Sequence, residues 1–213
     1  MMEMGTPPLE SHLNGIREQA IKAINDQQSL AYMDLAGIDF SGMDLRGVDF
    51  SNCYLEQCNF HYCNLEHANL HKAIAVRCDF SHANLTQANL NQSNIGGCNF
   101  QHANLDSANS SECEFAKSDF TNANLSHLDL SDTVNTLEVV FKNTNLTGVK
   151  FGDTSFLETN FYGANFSDAQ CNEATFNECN LSHTHGKQSQ FQGCNFIKCN
   201  LNLKSQILPM LAS

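Results

Sequence analysis

Residues 83–90 read Ala83-Asn84-Leu85-Thr86-Gln87-Ala88-Asn89-Leu90, so leucine recurs at the fifth residue. Each leucine follows Asn, and Ala lies two residues before it. Five residues turn an α-helix by about 500°, which would spread such a column around the whole helix. The chain must instead turn a corner once per five-residue unit.

The same spacing covers most of the chain. Every fifth residue from Leu30 to Leu130 is Leu, Phe or Ile, and the pattern resumes from Phe141 to Leu201. The exceptions are Ala75, Ser110, Cys171 and Gly186. From Val48 to Cys199, the residue two positions before is almost always small, with Leu128 as the outlier. Each unit therefore points one large and one small residue inward.

A longer period of twenty shows how the units stack. Phe and Leu each recur at this interval: Phe40, Phe60, Phe80, Phe100 and Phe120; Leu45, Leu65, Leu85, Leu105 and Leu125. A coil with four sides would place like residues above one another, about 4.8 Å apart. The sequence therefore predicts interior ladders of Phe and of Leu as the core.

Residues 83–90 match the consensus Ala-(Asp/Asn)-Leu-x-x, and the chain resembles a pentapeptide-repeat protein. The resemblance covers about 170 of the 213 positions. It implies an all-β fold, a right-handed quadrilateral β-solenoid with four repeats per coil and a short N-terminal helix cap. Gly37, Gly42 and Gly47 suit type II corners. Later corners carry Gln, His, Lys or Ser at that position, which predicts mixed turn types.

The sequence divides into six segments. They are a disordered leader (1–10), an amphipathic helix cap (11–29), a first solenoid part (30–130), a register slip or bulge (131–140), a second solenoid part (141–203) and an apolar tail (204–213). The helix is predicted from Ser11 to Gln28 because its apolar residues share one face. The tail either covers the last coil or forms a homodimer contact through Ile207, Leu208, Met210 and Leu211. The slip contains one extra residue, which predicts a local bulge in a continuous rod.

The positions of the cysteines and histidines argue against disulfides, a metal site and a catalytic site. Nine of the ten cysteines occupy the small inward position and Cys171 occupies the large one, so we expect buried thiols without disulfides or zinc. Cys58, Cys78 and Cys98 should stack in one column. His82 and His102 point outward one coil apart, which is too few ligands for a metal. The sequence contains no catalytic motif, so we expect no enzyme activity and no cofactor.

Charge and hydropathy limit the partners. The chain has 23 acidic and 11 basic residues and a net charge of −12. Such a rod should repel nucleic acid and membranes and attract a protein with a basic or groove-shaped surface. No apolar run reaches the length of a membrane span, and no secretory signal is recognisable. We therefore expect a cytoplasmic protein.

The repeat register predicts an acidic interaction surface. Asp34, Asp39, Asp44 and Asp49 ring the first full coil, and Asp79 and Asp119 extend one side of it. These residues indicate a non-enzymatic interaction module with an unidentified partner. The resemblance to quinolone-resistance members implies an alternative, a DNA mimic that binds a type II topoisomerase such as DNA gyrase. A secreted effector or adaptor scaffold is a further alternative.

Overall fold

The chain folds into a β-solenoid preceded by one helix in a computed structural model that describes residues 8–187 and 191–201. Helix α1 spans Pro8–Asn25. Three short strands, β1 (Ser155–Leu157), β2 (Thr175–Asn177) and β3 (Asn195–Ile197), form a parallel sheet in the order β1-β2-β3. Elsewhere, parallel bridges join residues one coil apart, as Asp39 pairs with Asn59. One coil takes twenty residues, or twenty-one across the slip.

A corner of one common conformation follows most of the large apolar residues. At a typical corner the N–H of Ala83 donates to the carbonyl of Phe80 at 3.0 Å, and His82 between them has a φ of 59°. The same positive φ is found at the third corner position throughout, with Asp132 and Asp153 as the exceptions among the described corners. Most non-glycine corners therefore share one conformation, and the predicted mixture of turn types is limited to the corners at Asp132 and Asp153. Non-glycine residues adopt the left-handed conformation because each corner is fixed by hydrogen bonds on both sides.

Helix α1 covers the first coil. Its Ala20 is fully buried, Leu13, Ile16 and Ile24 pack against the solenoid core, and Arg17 Nε donates to the carbonyl of Asp39 at 2.7 Å. The helix begins at Pro8, so the predicted disordered leader is wrong for residues 8–10. Proline costs no hydrogen bond in a first helical turn, where the N–H would lack a partner. Residues 1–7 lie outside the described part of the chain.

The helix ends before the predicted Gln28. Gln27 is left-handed with a φ of 53°, and the N–H of Gln28 donates back to the carbonyl of Ala23 at 2.8 Å. The N–H of Gln27 also donates to the carbonyl of Ile24 at 3.0 Å. These bonds form a Schellman motif, which satisfies the last helical carbonyls and redirects the chain into the first coil.

The core consists of stacked columns. Phe60 lies 4.9 Å from Phe80, and Phe80 lies 4.8 Å from Phe100, with ring planes within 4° of parallel. All three rings are fully buried. The repeated contact sets the coil spacing, so the outward residues of neighbouring coils are held in register as well.

The slip leaves the core continuous. Asn104 pairs with Asn124 twenty residues on, whereas Glu114 pairs with Asn135 twenty-one residues on. The extra residue therefore lies between Leu130 and Asn135, where Val134 is 60% exposed. Across the slip, Phe120 and Phe141 still stack at 5.2 Å. The bulge changes the surface and leaves the Phe ladder intact.

Candidate protein-interaction surface

The residue before each large apolar residue stabilises the next corner. Oδ1 of Asp39 accepts the N–H of Ser41 at 2.9 Å, and Oδ1 of Asn59 accepts the N–H of His61 at 3.0 Å. This contact is an Asx turn. It offsets part of the cost of the left-handed residue that follows. Asn and Asp therefore recur at this position first for structural reasons.

The predicted acidic line exists, but its carboxylates already have donors. Asp39, Asp79 and Asp119 occupy one column through bridges to the intervening asparagines. Oδ1 of Asp79 accepts from the N–H and Oγ of Ser81, at 2.9 and 2.6 Å. Oδ2 of Asp119 accepts from Gln101 Nε2 at 2.9 Å. These three residues lie in one column, and each accepts at least one hydrogen bond from a neighbouring residue.

The other predicted acids of the first coil lie outside this column. Asp34 accepts the N–H of Ala36 at 3.2 Å. Asp44 forms a two-bond pair with Arg46, at 2.8 and 2.6 Å, and the hydrogen bonds from that guanidinium lower the pKa of the carboxyl. Asp49 accepts from Ser29 Oγ at 2.5 Å and from Asn69 Nδ2 at 2.9 Å. The predicted ring of acids is therefore not one contiguous patch.

A second set of acids, which the sequence analysis missed, forms an exposed column at the corners. It lies at the third corner position of four successive coils: Glu112, Asp132, Asp153 and Glu173. All four side chains are exposed. Glu112 accepts a hydrogen bond from Gln92 at 2.8 Å. Within the described residues, none of the four forms an ion pair. We call these residues the unpaired acidic column.

A parallel column borders the same side of the solenoid at its other edge. It consists of Glu138, Glu158 and Glu178, all exposed. Lysines on the adjoining coils pair with its two ends: Lys117 lies 3.8 Å from Glu138, and Lys198 lies 2.9 Å from Glu178. We call these three glutamates the lysine-capped column. It carries less uncompensated charge than the unpaired acidic column.

The three strands between the two columns contain no charged residue and are partly apolar. It is formed by β1, β2 and β3, whose central phenylalanines point inward. Leu157 and Ile197 point outward and are 37% and 39% exposed. Glu114 lies on the same side and accepts from Asn94 Nδ2 at 2.8 Å. We call the two columns, Glu114 and the strands between them the acidic sheet face.

The acidic sheet face could have been found by reading the third corner position at intervals of twenty. Glu138, Glu158 and Glu178 are spaced by that interval. The slip hides the other column, because Asp132 and Asp153 are twenty-one residues apart. Aspartate is also frequent at the position before the large residue, but there it stabilises corners.

The described residues offer no metal site. Exposed rings stack on one corner, with Tyr62 and His82 4.7 Å apart and His82 and His102 4.7 Å apart. No group of three or more His, Cys, Asp or Glu residues in the described part of the chain could hold a metal ion. The rings pack on one another, which explains their alignment.

The cysteines serve as small core residues. Eight of the ten are buried, and Cys194 and Cys199 are half-buried. Burial raises the pKa of Cys53, Cys63 and Cys113 to about 11. These thiols are therefore protonated near neutral pH, as expected for structural cysteines.

A groove of about 820 Å³ separates the end of α1 from the first coil. Its charged lining residues are Asp44, Arg46 and Asp49, which already bind one another or neighbouring side chains. The predicted tail contacts Ile207, Leu208, Met210 and Leu211 lie outside the described residues.

The part of the chain that the structure describes contains no helix long and apolar enough to cross a membrane.

Comparison with known families gives one extensive match. The family model for pentapeptide repeats matches in eight copies, over residues 29–61, 63–101, 98–134, 140–170 and 164–202. No curated protein sequence matches the chain.

Several solved structures resemble this one at low TM-scores. A pentapeptide repeat protein from the thylakoid lumen of Arabidopsis thaliana is 33% identical over 48% of this chain and 68% of its own, with a TM-score of 0.42. HetL from the cyanobacterium Nostoc, a protein involved in heterocyst differentiation regulation, is 18% identical over 88% of this chain and 95% of its own, with a TM-score of 0.36. QnrB1, a plasmid-mediated fluoroquinolone resistance protein, is 19% identical over 83% of this chain and 94% of its own, with a TM-score of 0.39. At these TM-scores the likenesses carry no argument about function.

Proposed function

Because the chain belongs to the pentapeptide-repeat family, we propose that it is a non-enzymatic, right-handed β-solenoid that binds a protein partner through its acidic sheet face. The partner has a basic surface with an apolar centre. The observation that carries this proposal is the unpaired acidic column, Glu112, Asp132, Asp153 and Glu173, at the edge of the sheet. Its charges are exposed and have no ion pair in the described structure.

Charge and shape both favour such a partner. Successive members of the column lie one coil apart, about 4.8 Å for neighbouring strands. Lysine or arginine side chains on one surface could meet several of them at once. Leu157 and Ile197, exposed beside the column, add apolar contact area. Electrostatic complementarity of this kind speeds association and selects the partner.

The rigidity of the solenoid supports the same function. Backbone N–H groups at the corners and between coils are hydrogen-bonded, and the outward residues are fixed by the stacked core. A surface that does not reorganise on binding loses less conformational entropy. The binding surface is therefore pre-organised along the rod.

Two triple variants with equal charge change test this proposal. One neutralises the acidic sheet face by Asp132→Asn, Asp153→Asn and Glu173→Gln. The other neutralises the predicted line by Asp39→Asn, Asp79→Asn and Asp119→Asn. Proteins captured from a cell lysate by each variant and by the parent chain would be quantified by mass spectrometry at low and raised ionic strength. We expect a salt-sensitive partner that the first variant loses and the second retains. Equal capture by all three proteins would contradict the proposal.

A second candidate function is mimicry of duplex DNA toward a type II topoisomerase such as DNA gyrase. The observation that favours it is the pair of acidic columns running along one side of a rod with a regular spacing. A supercoiling assay with and without a fluoroquinolone tests it. Inhibition or protection should weaken in the acidic-sheet-face variant, and an unaffected enzyme would exclude this candidate.

The proposal includes three finer features. The coil has four sides, one for each corner in twenty residues. The protein is cytoplasmic, and the tail at 204–213 joins two chains into a longer rod.

Sedimentation of the full chain and of a chain ending at residue 203 would test the homodimer. A monomeric full chain at high concentration would exclude it.

A further inference from the structure

One inward column contains two separate runs of cysteine. On the side of the Phe ladder, the small inward position is occupied in successive coils by Ile38, Cys58, Cys78, Cys98, Ser118, Val139, Thr159, Cys179 and Cys199. The first run, Cys58, Cys78 and Cys98, occupies the second to fourth positions of this column. The second run, Cys179 and Cys199, lies in the last two described coils. The two runs have the same spacing and different surroundings.

The two runs differ in exposure. Cys58, Cys78 and Cys98 are each at most 2% exposed. Cys179 is buried, but Cys199 is half-buried and therefore open to small reagents. The Sγ atom of Cys199 lies 3.1 Å from the carbonyl oxygen of Phe176, compared with 2.8 Å between Cys78 and the carbonyl of Leu55.

The geometry of the end pair suits a disulfide. Asn180 pairs with Asn200 as neighbouring parallel residues, which places the adjacent Cys179 and Cys199 one strand spacing apart, about 4.8 Å. Disulfides join Cα atoms separated by about 4.4–6.8 Å. Each thiol donates to a backbone carbonyl of the preceding coil, Cys179 Sγ to Phe156 at 3.6 Å and Cys199 Sγ to Phe176 at 3.1 Å. No large backbone movement is needed to join them.

We propose that Cys179 and Cys199 form an oxidisable dithiol, which hydroperoxides convert into a disulfide that links the last two described coils. Cys199 is the thiol that reacts first, and Cys179 is the thiol that resolves the product. This site lies outside the acidic sheet face and does not depend on the proposed function.

The chemistry of the two sulfurs supports these roles. The adjacent Cys179 thiol lowers the pKa of Cys199, and the adjacent Cys199 thiol, together with burial, raises the pKa of Cys179. In the buried run, the pKa values of Cys58 and Cys78 are both raised. A thiolate is the reactive form of cysteine. The end pair therefore contains a nucleophile that these buried cysteines do not provide.

The reaction balances with a hydroperoxide as the oxidant. The Cys199 thiolate attacks the terminal OH oxygen of the hydroperoxide, the O–O bond breaks, and hydroxide (from hydrogen peroxide) or an alkoxide (from an organic hydroperoxide) leaves as Cys199 becomes a sulfenic acid. The Cys179 sulfur then attacks the Cys199 sulfur, and the S–O bond breaks. The proton from Cys179 leaves with the hydroxyl group as water. Two thiols are oxidised, and one hydroperoxide is reduced.

Cys194 is the competing half-buried thiol. Its Sγ donates to the backbone carbonyl of Cys171 at 2.5 Å, and burial raises its pKa to about 12. It lies on a different side of the coil from Cys199. A protonated thiol in that position should react slowly.

Peptide mapping of the oxidised full chain tests the proposal. The folded protein would be treated with hydrogen peroxide, its remaining thiols alkylated after denaturation, and the digest analysed without reduction. We expect a peptide pair joined through Cys179 and Cys199, with Cys58, Cys78 and Cys98 recovered as alkylated thiols. Recovery of Cys179 and Cys199 as thiols would overturn the proposal, as would a disulfide between Cys171 and Cys194 or equally fast loss of the buried run.

Two variants separate the roles of the sulfurs. Cys179→Ser should stop the reaction at a sulfenic acid on Cys199, which dimedone would trap. Cys58→Ser, in the buried run, should leave the disulfide unchanged. Absence of dimedone labelling at Cys199 in a folded Cys179→Ser protein would contradict the assignment. The map of the unmodified chain remains decisive if a variant fails to fold.

Discussion

Phe80 lies directly between two rings of its column, and its partner Phe100 is 4.8 Å away with a ring plane only 3° from parallel. The ring on the other side, Phe60, is 4.9 Å away. Because the contact repeats coil after coil, each ring fixes the height of its neighbours. The stacked core therefore holds the surface residues in register.

Replacing Phe80 with alanine should destabilise the protein by about 3–5 kcal/mol, because it empties a fully buried ring site between two other rings. Phe80→Leu is the control, since leucine fills much of the same volume and should cost less. Denaturant unfolding of both variants measures the difference. A decrease of less than about 1 kcal/mol in the free energy of unfolding of Phe80→Ala would contradict close packing of Phe80 between the two neighbouring rings.

Asp79 should contribute to stability mainly as a corner residue. Replacing it with alanine removes the acceptor for the N–H and Oγ of Ser81, at an expected cost of about 1–2 kcal/mol. Asp79→Asn keeps an Oδ1 acceptor, as Asn59 and Asn99 show in the same column, and should cost less than half as much. Thermal melts compare the two variants. Equal losses would mean that the charge of Asp79, and not its acceptor, matters.

Two glycines at corners should respond differently to alanine. A Cβ on Gly152 would lie 2.7 Å from Cβ of Ser131, and the residue has a φ of +54°. A Cβ on Gly42 would meet nothing within 4 Å, at a φ of +71°. Gly152→Ala should therefore cost about 1–3 kcal/mol more than Gly42→Ala. The urea concentrations at the unfolding midpoints of the two variants measure this difference. Similar midpoints would show that the backbone near Ser131 shifts to accommodate the new Cβ without strain.

The buried thiols Cys53, Cys63 and Cys113 should react slowly with Ellman's reagent at pH 8. Burial raises the pKa of each to about 11, so the neutral thiol predominates well below that pH. Their reaction should become fast in denaturant, where the ordinary pKa of a thiol, about 8.5, is restored. Residue-resolved labelling checks this. Rapid native labelling of these three cysteines would place them on the surface.

The sequence predicted the columns well and the corners less well. The Phe ladder and the burial of Cys58, Cys78 and Cys98 follow directly from the periods of five and twenty. The left-handed conformation of most corners did not follow from these periods, because the intrinsic backbone preference of a residue such as His82 disfavours positive φ. The hydrogen bonds of each corner reverse that preference.

The chain by itself determined which residues are inside. A five-residue repeat whose units stack at intervals of twenty residues buries the large apolar residues in only one way, inside the coil. This burial of apolar area depends on composition and period alone. The tertiary structure determined which carboxylates remain free to contact a partner. Asp79 and Asp119 accept hydrogen bonds from neighbouring side chains, whereas Asp132 and Asp153 accept none and form no ion pair within the described residues. Charge pairing depends on distances between side chains of different coils, and the extra residue near Val134 changes which side chains meet.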